Sequence, residues 1–271
     1  MTIPITDLDH RIPIINQKID ARGYSKFPID PQHPRYKEPL ILLDEMGVAY
    51  ESHHARTDGG NWPYNKQVPG SRKDTWLRLG LAEMLVKVNK RLAPFGAEVF
   101  VLDGYRPIDC QRGLWQFFYD DTRRENPNAT PDECTANAAR YVNNPVRFNI
   151  EDCATWPAHT TGASVDCTLR DLDTGELFDM GVRFEDIAPP RAQDYFERQF
   201  EAGLVPRDDR RLWNRRLLHW AMSAEGFQND PIVFWHFDWG NQLYVMVKKL
   251  LFDSGPDAAW YGYIADPPPV S

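Results

Sequence analysis

The sequence predicts an α+β fold: one domain over residues 1–271, in which a small, mainly antiparallel sheet is flanked by helices. The chain has 271 residues, 42% of them hydrophobic, and this is enough to bury one large core in preference to two small ones. Segments with the apolar spacing of helices occur beside short apolar runs typical of strands. No internal repeat and no change of composition marks a domain boundary.

Residues 1–70 are predicted to form an extended, loop-rich segment that wraps the later core and supplies part of a pocket wall. Few apolar residues recur regularly there, and prolines are frequent. A proline ring fixes φ and removes a backbone donor, which disfavours helices and central strands. The prolines are Pro4, Pro13, Pro28, Pro31, Pro34, Pro39, Pro63 and Pro69.

The clearest helix is predicted over residues 76–92, with Asp74 as its cap and Gly96 closing the segment. Its apolar residues return at helical spacing. They are Trp76, Leu77, Leu81, Met84, Leu85, Val88 and Leu92. Residues 97–102 (AEVFVL) then predict a short buried strand that delivers DGYRP to its end, where loops commonly carry function.

The other elements are predicted from shorter patterns. Thr174 and Gly175 indicate a hairpin tip after a strand. Helices are expected over 108–119, over 132–141 and from 212 to 226, strands over 163–169 and 231–242, and a strand or a helix over 243–251.

Charge and cysteine content restrict the class of partner. The net charge is −8 and the sequence pI is about 5.4, so no basic surface is available for nucleic acid and a small-molecule partner is expected. The first residues lack the basic start and apolar run of a signal peptide, and no apolar window is long enough to span a membrane. We therefore expect a cytoplasmic protein. Four cysteines without a CxxC pair predict free, buried thiols.

Three residues have side chains suited to metal binding. His159 and Asp166 lie in HTTGASVD, and Gly162 between them permits a tight backbone path on which the two side chains converge. Zinc takes nitrogen and oxygen ligands, and catalytic zinc usually has three protein ligands, so His236 is the natural third. The alternative for His236, which stands among aromatic residues in PIVFWHFDWGNQ, is a buried core histidine.

Arg106 in DGYRP is the other candidate for chemistry. A guanidinium is always charged and binds a carboxylate or a developing oxyanion through two donors. From the pentapeptide alone, a structural salt bridge to Asp103 or Asp109 is an equal alternative.

Together and in this order, the segments resemble the D-alanyl-D-alanine dipeptidase family of zinc metallopeptidases, which is related to the zinc D,D-carboxypeptidases and the hedgehog-type fold. PAHTTGASVD matches the family's SxHxxGxAxD, and VFWHF matches ExxH with trailing aromatic residues. DGYRP precedes them, and FDMG (178–181) and GF (226–227) lie between them. The resemblance implies that His159, Asp166 and His236 bind zinc, and that Arg106 contacts the substrate or stabilises the transition state.

The sequence departs from the family's motifs at three positions. Pro157 stands for the motif serine, Ser164 for the alanine, and Val233 for the glutamate three residues before the last histidine. In such a peptidase that glutamate takes a proton from the zinc-bound water and passes it to the leaving amine, which valine cannot do. Losing a general acid–base group typically costs about 10² to 10⁴ in rate.

Asp238 is the nearest sequence candidate to replace the glutamate, or else to support a ligand histidine. If the region is extended, side chains alternate, so His236 and Asp238 share a face about 6 to 7 Å apart while Val233 belongs to the other face. A surface or turn aspartate is the alternative. Further candidates are Glu151, Asp152 and Glu225.

Three functions stay open on the sequence. The first is a zinc dipeptidase acting on D-alanyl-D-alanine or a similar small dipeptide. The second is a metalloenzyme of the same fold repurposed for another small carboxylate-bearing substrate, since two histidines and one carboxylate also form the facial triad of Fe(II) enzymes. The third is a catalytically silent ligand-binding homologue.

Overall fold

A computed structural model describes residues 8–20 and 23–267 of the chain, so Pro4 lies outside the described residues. Its helices and small antiparallel sheets confirm the predicted α+β class. The strands are β1 (Leu40–Leu42), β2 (Trp76–Arg78), β3 (Ala97–Asp103), β4 (Ser164–Asp171), β5 (Gln228–Asn229) and β6 (His236–Asp238). The α-helices are α1 (Leu79–Leu92), α2 (Ile108–Glu125), α3 (Pro131–Ala138), α4 (Tyr195–Glu201), α5 (Arg210–Ala224) and α6 (Gln242–Phe252). Short 3₁₀ helices cover Gly23–Lys26, Leu43–Met46, His53–Ala55, Ala93–Phe95, Pro145–Arg147, Cys153–Thr155, Ala158–Thr161 and Pro189–Arg191.

The central sheet has four strands in the order β3-β4-β6-β5, and every neighbouring pair is antiparallel. β4 lies inside the sheet, and its first six residues are buried because both faces are covered. A second, two-stranded sheet pairs β1 with β2. The register of β4 against β6 is important for function because it sets Asp166 directly opposite His236.

The main core lies between the central sheet and two helices, α1 and α5. One face of α1 is fully buried through Leu81, Leu85, Val88 and Leu92. Burying a leucine or valine side chain stabilises a fold by about 1.5 to 3 kcal/mol. This apolar face therefore holds α1 against the sheet.

The predicted start of the first helix is wrong. Trp76 and Leu77 belong to β2, where Leu77 pairs with Ile41, and the helix begins only at Leu79. Asp74 is not a helix cap: its carboxylate accepts hydrogen bonds from the Arg72 guanidinium and from Nε1 of Trp76. Helical spacing alone did not reveal the strand because two residues before a helix fit either period.

Several other predictions differ from the structure in extent. The helix predicted over 108–119 continues to Glu125, and the ambiguous segment 243–251 is helical. The long strand predicted over 231–242 is limited to β6, because the chain turns twice between Pro231 and Trp235. The hairpin after β4 has the predicted tip at Gly175, with φ of +72°.

A second apolar cluster joins α2 to α3 through Leu114, Trp115, Phe118 and Ala138. It also holds Tyr64 of the N-terminal region, which is 3% exposed. Because α2 begins two residues after Arg106, this cluster fixes the wall of the cleft beside the sheet.

Candidate metal centre

The structure brings His159, Asp166 and His236 together: their ligand atoms lie within 4.8 Å of one another and all three residues are buried. Asp166 is on β4 and His236 is on β6, where the two residues are direct partners. His159 comes from the 3₁₀ turn that precedes β4. Two neighbouring strands and one turn therefore present three side chains to a single point.

Gly162 makes the approach of His159 possible. It ends the 3₁₀ turn with φ of +69°, in the left-handed region that favours glycine. A Cβ atom at this position would lie 2.4 Å from Cδ2 of Leu40. The turn therefore needs glycine both for its backbone conformation and for the close packing of the N-terminal region.

The donor atoms fit a small divalent cation. Nδ1 of His236 lies 3.2 Å from Nε2 of His159 and 2.9 Å from Oδ1 of Asp166, and Nε2 of His159 lies 3.4 Å from Oδ2 of Asp166. Ligands about 2.1 Å from a tetrahedral zinc ion are about 3.4 Å apart. One of the three separations equals this value, and the other two are shorter. Burial would raise the pKa of Asp166, but the two histidines lower it well below its ordinary value, which keeps a ligand carboxylate ionised.

Each histidine is oriented through its other ring nitrogen. Nδ1–H of His159 donates to the carbonyl oxygen of Gly104 at 2.8 Å, which leaves Nε2 free to bind a cation. Nε2 of His236 lies 3.1 Å from Oδ2 of Asp238. Burial would lower the pKa of His236, but Asp238 and Asp166 raise it well above its ordinary value, so a cation would displace a proton there.

Asp238 lies behind the His236 ring, on the side away from the cluster. Its Oδ1 accepts hydrogen bonds from Oγ of Ser164 and Nδ2 of Asn241, both at 2.6 Å, and the residue is 1% exposed. Asp238 was considered either as a base that replaces the glutamate or as a residue that supports a ligand histidine. Its position favours the supporting role. Ser164, a departure from the family's motif, takes part in this support.

Arg106 lies beside the cluster in a network of buried groups. Its Nη2 is 2.6 Å from Oδ2 of Asp103 and 3.8 Å from Oδ2 of Asp166, and its Nη1 donates to Oε1 of Gln111 at 2.9 Å. The salt bridge to Asp103 is therefore present, whereas Asp109 pairs with Arg112. A bridge to Asp103 does not remove Arg106 from the cleft, because its side chain lines the same cavity as the cluster.

The cluster opens into a cavity of about 190 Å³. Val233 lines this cavity together with His236. The alternation expected of an extended segment does not apply there, because Val233 lies between the two turns that precede β6. Residue 233 therefore borders the cavity and also packs against the main core.

The further acidic candidates from the sequence lie away from the cavity. Glu151 and Asp152 are exposed, and the carboxylate of Glu225 binds Arg91. The acidic residues that line the cavity, in the part of the chain that the structure describes, are Asp166, Glu185 and Asp230. Sequence reasoning missed the last two.

Strand pairing explains the position of Asp230. Asn229 pairs with Phe237, and the amide of Asp230 donates to the carbonyl of His236 at 2.9 Å, so Asp230 continues β5 directly opposite His236. Directly opposed residues of antiparallel strands have side chains on the same face, about 4.5 to 5.5 Å apart at Cβ. Asp166, His236 and Asp230 therefore form one row across three strands.

Glu185 reaches the cavity from a loop. Its backbone has φ of +69°, and its carboxylate accepts hydrogen bonds from Nε2 of His54 at 3.0 Å and from the hydroxyl of Tyr64 at 2.9 Å. Burial would lower the pKa of His54, but Asp103 raises it to about 9 and the ring is charged. Burial would raise the pKa of Glu185, but His54 lowers it, so an ionised carboxylate faces the cavity.

The fold and this cluster define a candidate mononuclear metal centre on the face of an antiparallel sheet. Residues 71–253 match the sequence profile of the D-ala-D-ala dipeptidase family. The chain belongs to this peptidase family, as the order of its motifs predicts.

Several proteins similar to this chain are named D-alanyl-D-alanine dipeptidase. A D-alanyl-D-alanine dipeptidase of Synechocystis sp. is 29% identical over 240 residues, which are 84% of this chain and 92% of the relative. Dipeptidases of that name from Enterococcus faecium and Enterococcus faecalis are 29% and 26% identical, each over 73% of this chain and 90% of the relative. None of the helices in the described ranges combines the length and apolarity that crossing a bilayer requires.

Proposed function

We propose that the protein is a metal-dependent dipeptidase that hydrolyses D-alanyl-D-alanine or a similar small dipeptide, with zinc as its metal. The observation that carries the proposal is the convergence of His159, Asp166 and His236 at one cavity in a member of this peptidase family. The cavity, about 190 Å³, is below the range of about 300 to 1,000 Å³ typical of drug-sized ligands, which favours a very small substrate.

In this proposal the two histidines and Asp166 hold the metal, and Asp238 and Gly104 keep the two rings in their binding orientation. When bound, the cation lowers the pKa of a water molecule toward about 7 and polarises the peptide carbonyl. Catalytic zinc sites typically have three protein ligands, which is the number that His159, Asp166 and His236 would supply.

Asp230 is the residue that we assign as proton acceptor in place of the absent glutamate. It lines the cavity beside His236, and its Oδ1 accepts the amide of Ile232 at 2.9 Å, which leaves Oδ2 for the water. Burial raises the pKa of Asp230 in the metal-free protein to about 6, and a cation nearby would lower it, so the carboxylate is ionised and able to accept a proton at neutral pH. Oδ2 would take the proton from the water and return it to the leaving amine.

Two other charged groups of the cavity, Glu185 and Arg106, are assigned to binding the substrate. The ionised carboxylate of Glu185 is a suitable partner for the amino group of a dipeptide. The guanidinium of Arg106, held by Asp103 and Gln111, lies beside Asp166 and can donate to the carbonyl oxygen as negative charge develops on it. Because its position is fixed in advance, little reorganisation accompanies the reaction.

The first experiment combines metal analysis with hydrolysis. The purified protein is stripped with a chelator, reloaded with Zn²⁺ or Fe²⁺, and assayed for release of D-alanine from D-alanyl-D-alanine. We expect about one metal per chain and turnover with zinc. A fully zinc-loaded protein that hydrolyses no small dipeptide would contradict the proposal, and activity restricted to Fe²⁺ with oxygen would indicate another reaction.

The second experiment tests the base. Asp230→Asn is expected to lower kcat by about 10² to 10⁴ while metal content is unchanged. Adding Val233→Glu in the Asp230→Asn background should restore hydrolysis, because residue 233 faces the same cavity. Val233→Gln is the matched control, since it has the same size but accepts no proton. Equal activity of the Glu and Gln double variants would rule out a carboxylate at 233 as a substitute base.

A cytoplasmic location is part of the proposal. All four cysteines are free thiols, and Cys110, Cys134 and Cys167 are buried, which is consistent with a reducing compartment. Cell fractionation with an antibody against the protein tests this location.

A further inference from the structure

The cavity has two arginines that the proposed reaction does not use. Arg140 lies in the turn after α3 and Arg191 ends the 3₁₀ helix Pro189–Arg191, and both residues line the same cavity as Arg106. The carbonyl of Arg191 accepts the amide of Phe234 at 2.8 Å, which holds this residue against the turn that contains Val233. Arg191 is thus part of the cavity wall and not a distant surface charge.

Neither guanidinium forms a salt bridge within the described ranges. Arg106 is neutralised by Asp103, but no carboxylate oxygen of residues 8–20 or 23–267 lies within 4.0 Å of the guanidinium nitrogens of Arg140 or Arg191. The side chain of Arg140 makes one long hydrogen bond, 3.4 Å, to Oδ1 of Asn137. Burial and the charge of Arg140 lower the pKa of Arg191, whereas the nearby carboxylates of Asp230 and Asp186, which form no salt bridge with it, raise that pKa.

The charge of the loaded cavity is positive. Three arginines and three carboxylates line it: Arg106 is paired with Asp103 and Glu185 with the charged His54, so the charges of Arg140 and Arg191 are offset by Asp166 and Asp230. A divalent metal with neutral histidine ligands then leaves a net charge of about +2 inside a concave, partly buried site, where fields are focused on the ligand. A neutral, zwitterionic dipeptide such as D-alanyl-D-alanine does not balance this charge.

We propose that the preferred substrate carries an additional carboxylate on an acidic side chain, and that Arg140 and Arg191 bind this group. The inference rests on the proposed dipeptidase function and narrows its substrate class from small dipeptides to acidic dipeptides. Paired guanidiniums suit a carboxylate because each offers parallel N–H donors, and an anion between them relieves their repulsion.

The test compares ligands that differ only in charge. D-alanyl-D-glutamate is matched with D-alanyl-D-glutamine, and D-glutamyl-D-alanine with D-glutaminyl-D-alanine. Binding to the zinc-loaded protein is measured by calorimetry with reduced-peptide-bond analogues, which resist hydrolysis, and kcat/KM is measured with the peptides themselves. We expect the acidic member of at least one pair to bind tenfold or more tightly, with a preference that weakens as salt increases.

Variants then assign the preference to residues. Arg140→Gln and Arg191→Gln should each reduce the preference for the acidic ligand, and the double variant should remove this preference. Arg123→Gln, an exposed position on α2 outside the cavity, removes the same charge and should leave the preference intact. Metal content and the thermal midpoint are measured for each variant to establish that it is folded.

Two results would overturn the inference. One is equal binding of the acidic and amide members in both pairs, a comparison that needs no variant. The other is a preference that persists in the folded double variant. If acidic analogues bind preferentially but no peptide is hydrolysed, the dipeptidase proposal fails and the acidic subsite stands. If D-alanyl-D-alanine is hydrolysed without an acidic preference, the subsite fails alone.

Discussion

Replacing Asp230 by asparagine should have opposite effects on stability and on activity. Asp230 is held beside the cavity, where burial raises its pKa from 3.8 to about 6 although His236 opposes the shift. The folded protein therefore binds this proton more tightly than the unfolded chain does. The contribution of this protonation to the free energy of unfolding is fully present below about pH 4 and is lost as the pH rises through about 6.

The size of the effect follows from the two pKa values. The difference between 3.8 and about 6 corresponds to about 3 kcal/mol at 1.36 kcal/mol for each pH unit, as an upper value for a residue that is partly open to the cavity. Asparagine cannot ionise, and its Oδ1 can still accept the amide of Ile232. The Asp230→Asn variant should therefore match the wild type near pH 4 and exceed it by up to about 3 kcal/mol at pH 8.

The assay is urea unfolding of chelator-treated protein at pH 4 and pH 8, followed by tryptophan fluorescence. Chelation is needed because a cation near Asp230 would itself favour the carboxylate. The same variant, reloaded with zinc, is then assayed for dipeptide hydrolysis. A difference in unfolding free energy between Asp230→Asn and the wild type that is the same at both pH values would refute the electrostatic account of Asp230. A variant that is more stable at pH 8 yet fully active would leave Asp230 as a buried acid without a role in the reaction.

Three further predictions concern other parts of the molecule. Asp238→Asn should weaken zinc binding about 10- to 100-fold in a chelator competition, because Asp238 holds Nε2 of His236; unchanged affinity would contradict that supporting role. Arg106→Lys should lower kcat by about 10² to 10³ with little change in KM, because lysine lacks the guanidinium donors that hold Asp103 and Gln111. Steady-state kinetics that show only a raised KM would instead assign Arg106 to binding of the substrate in its ground state. Leu85→Ala should lower the free energy of unfolding by about 2 to 5 kcal/mol in urea, because Leu85 is fully buried on α1. A loss below about 1 kcal/mol would mean that the core repacks to fill the space left by the leucine side chain.

The sequence was most informative where residues repeat at regular spacing or follow a family's motifs. The apolar face of α1 and the buried runs of β3 and β4 could be predicted because period and burial agree there. Motif order also predicted that His159, Asp166 and His236 meet, and the structure places them around one point. β2 was missed because a strand of three residues that runs directly into a helix has no period of its own.

The acidic groups of the cavity could not be found in the same way. Asp230 reaches the site only through the pairing of β5 with β6, a long-range register that no local pattern reveals. Glu185 depends on a loop residue with positive φ and on two partners, His54 and Tyr64, more than 100 residues upstream. The sequence candidates Glu151 and Asp152 were chosen for charge alone, and they lie at the surface.

The metal ligands and the proton acceptor depend on different features of the chain. The register of the sheet fixes Asp166, His236 and Asp230 in one row, and a slip of one residue would turn these side chains to the other face. Val233 lies between two turns, outside this row, and is not one of the three proposed metal ligands, although it packs against the main core. A carboxylate at 230 or at 233 can therefore face the same cavity while the metal geometry is kept. For this reason the Asp230→Asn, Val233→Glu double variant separates the identity of the base from the integrity of the metal site.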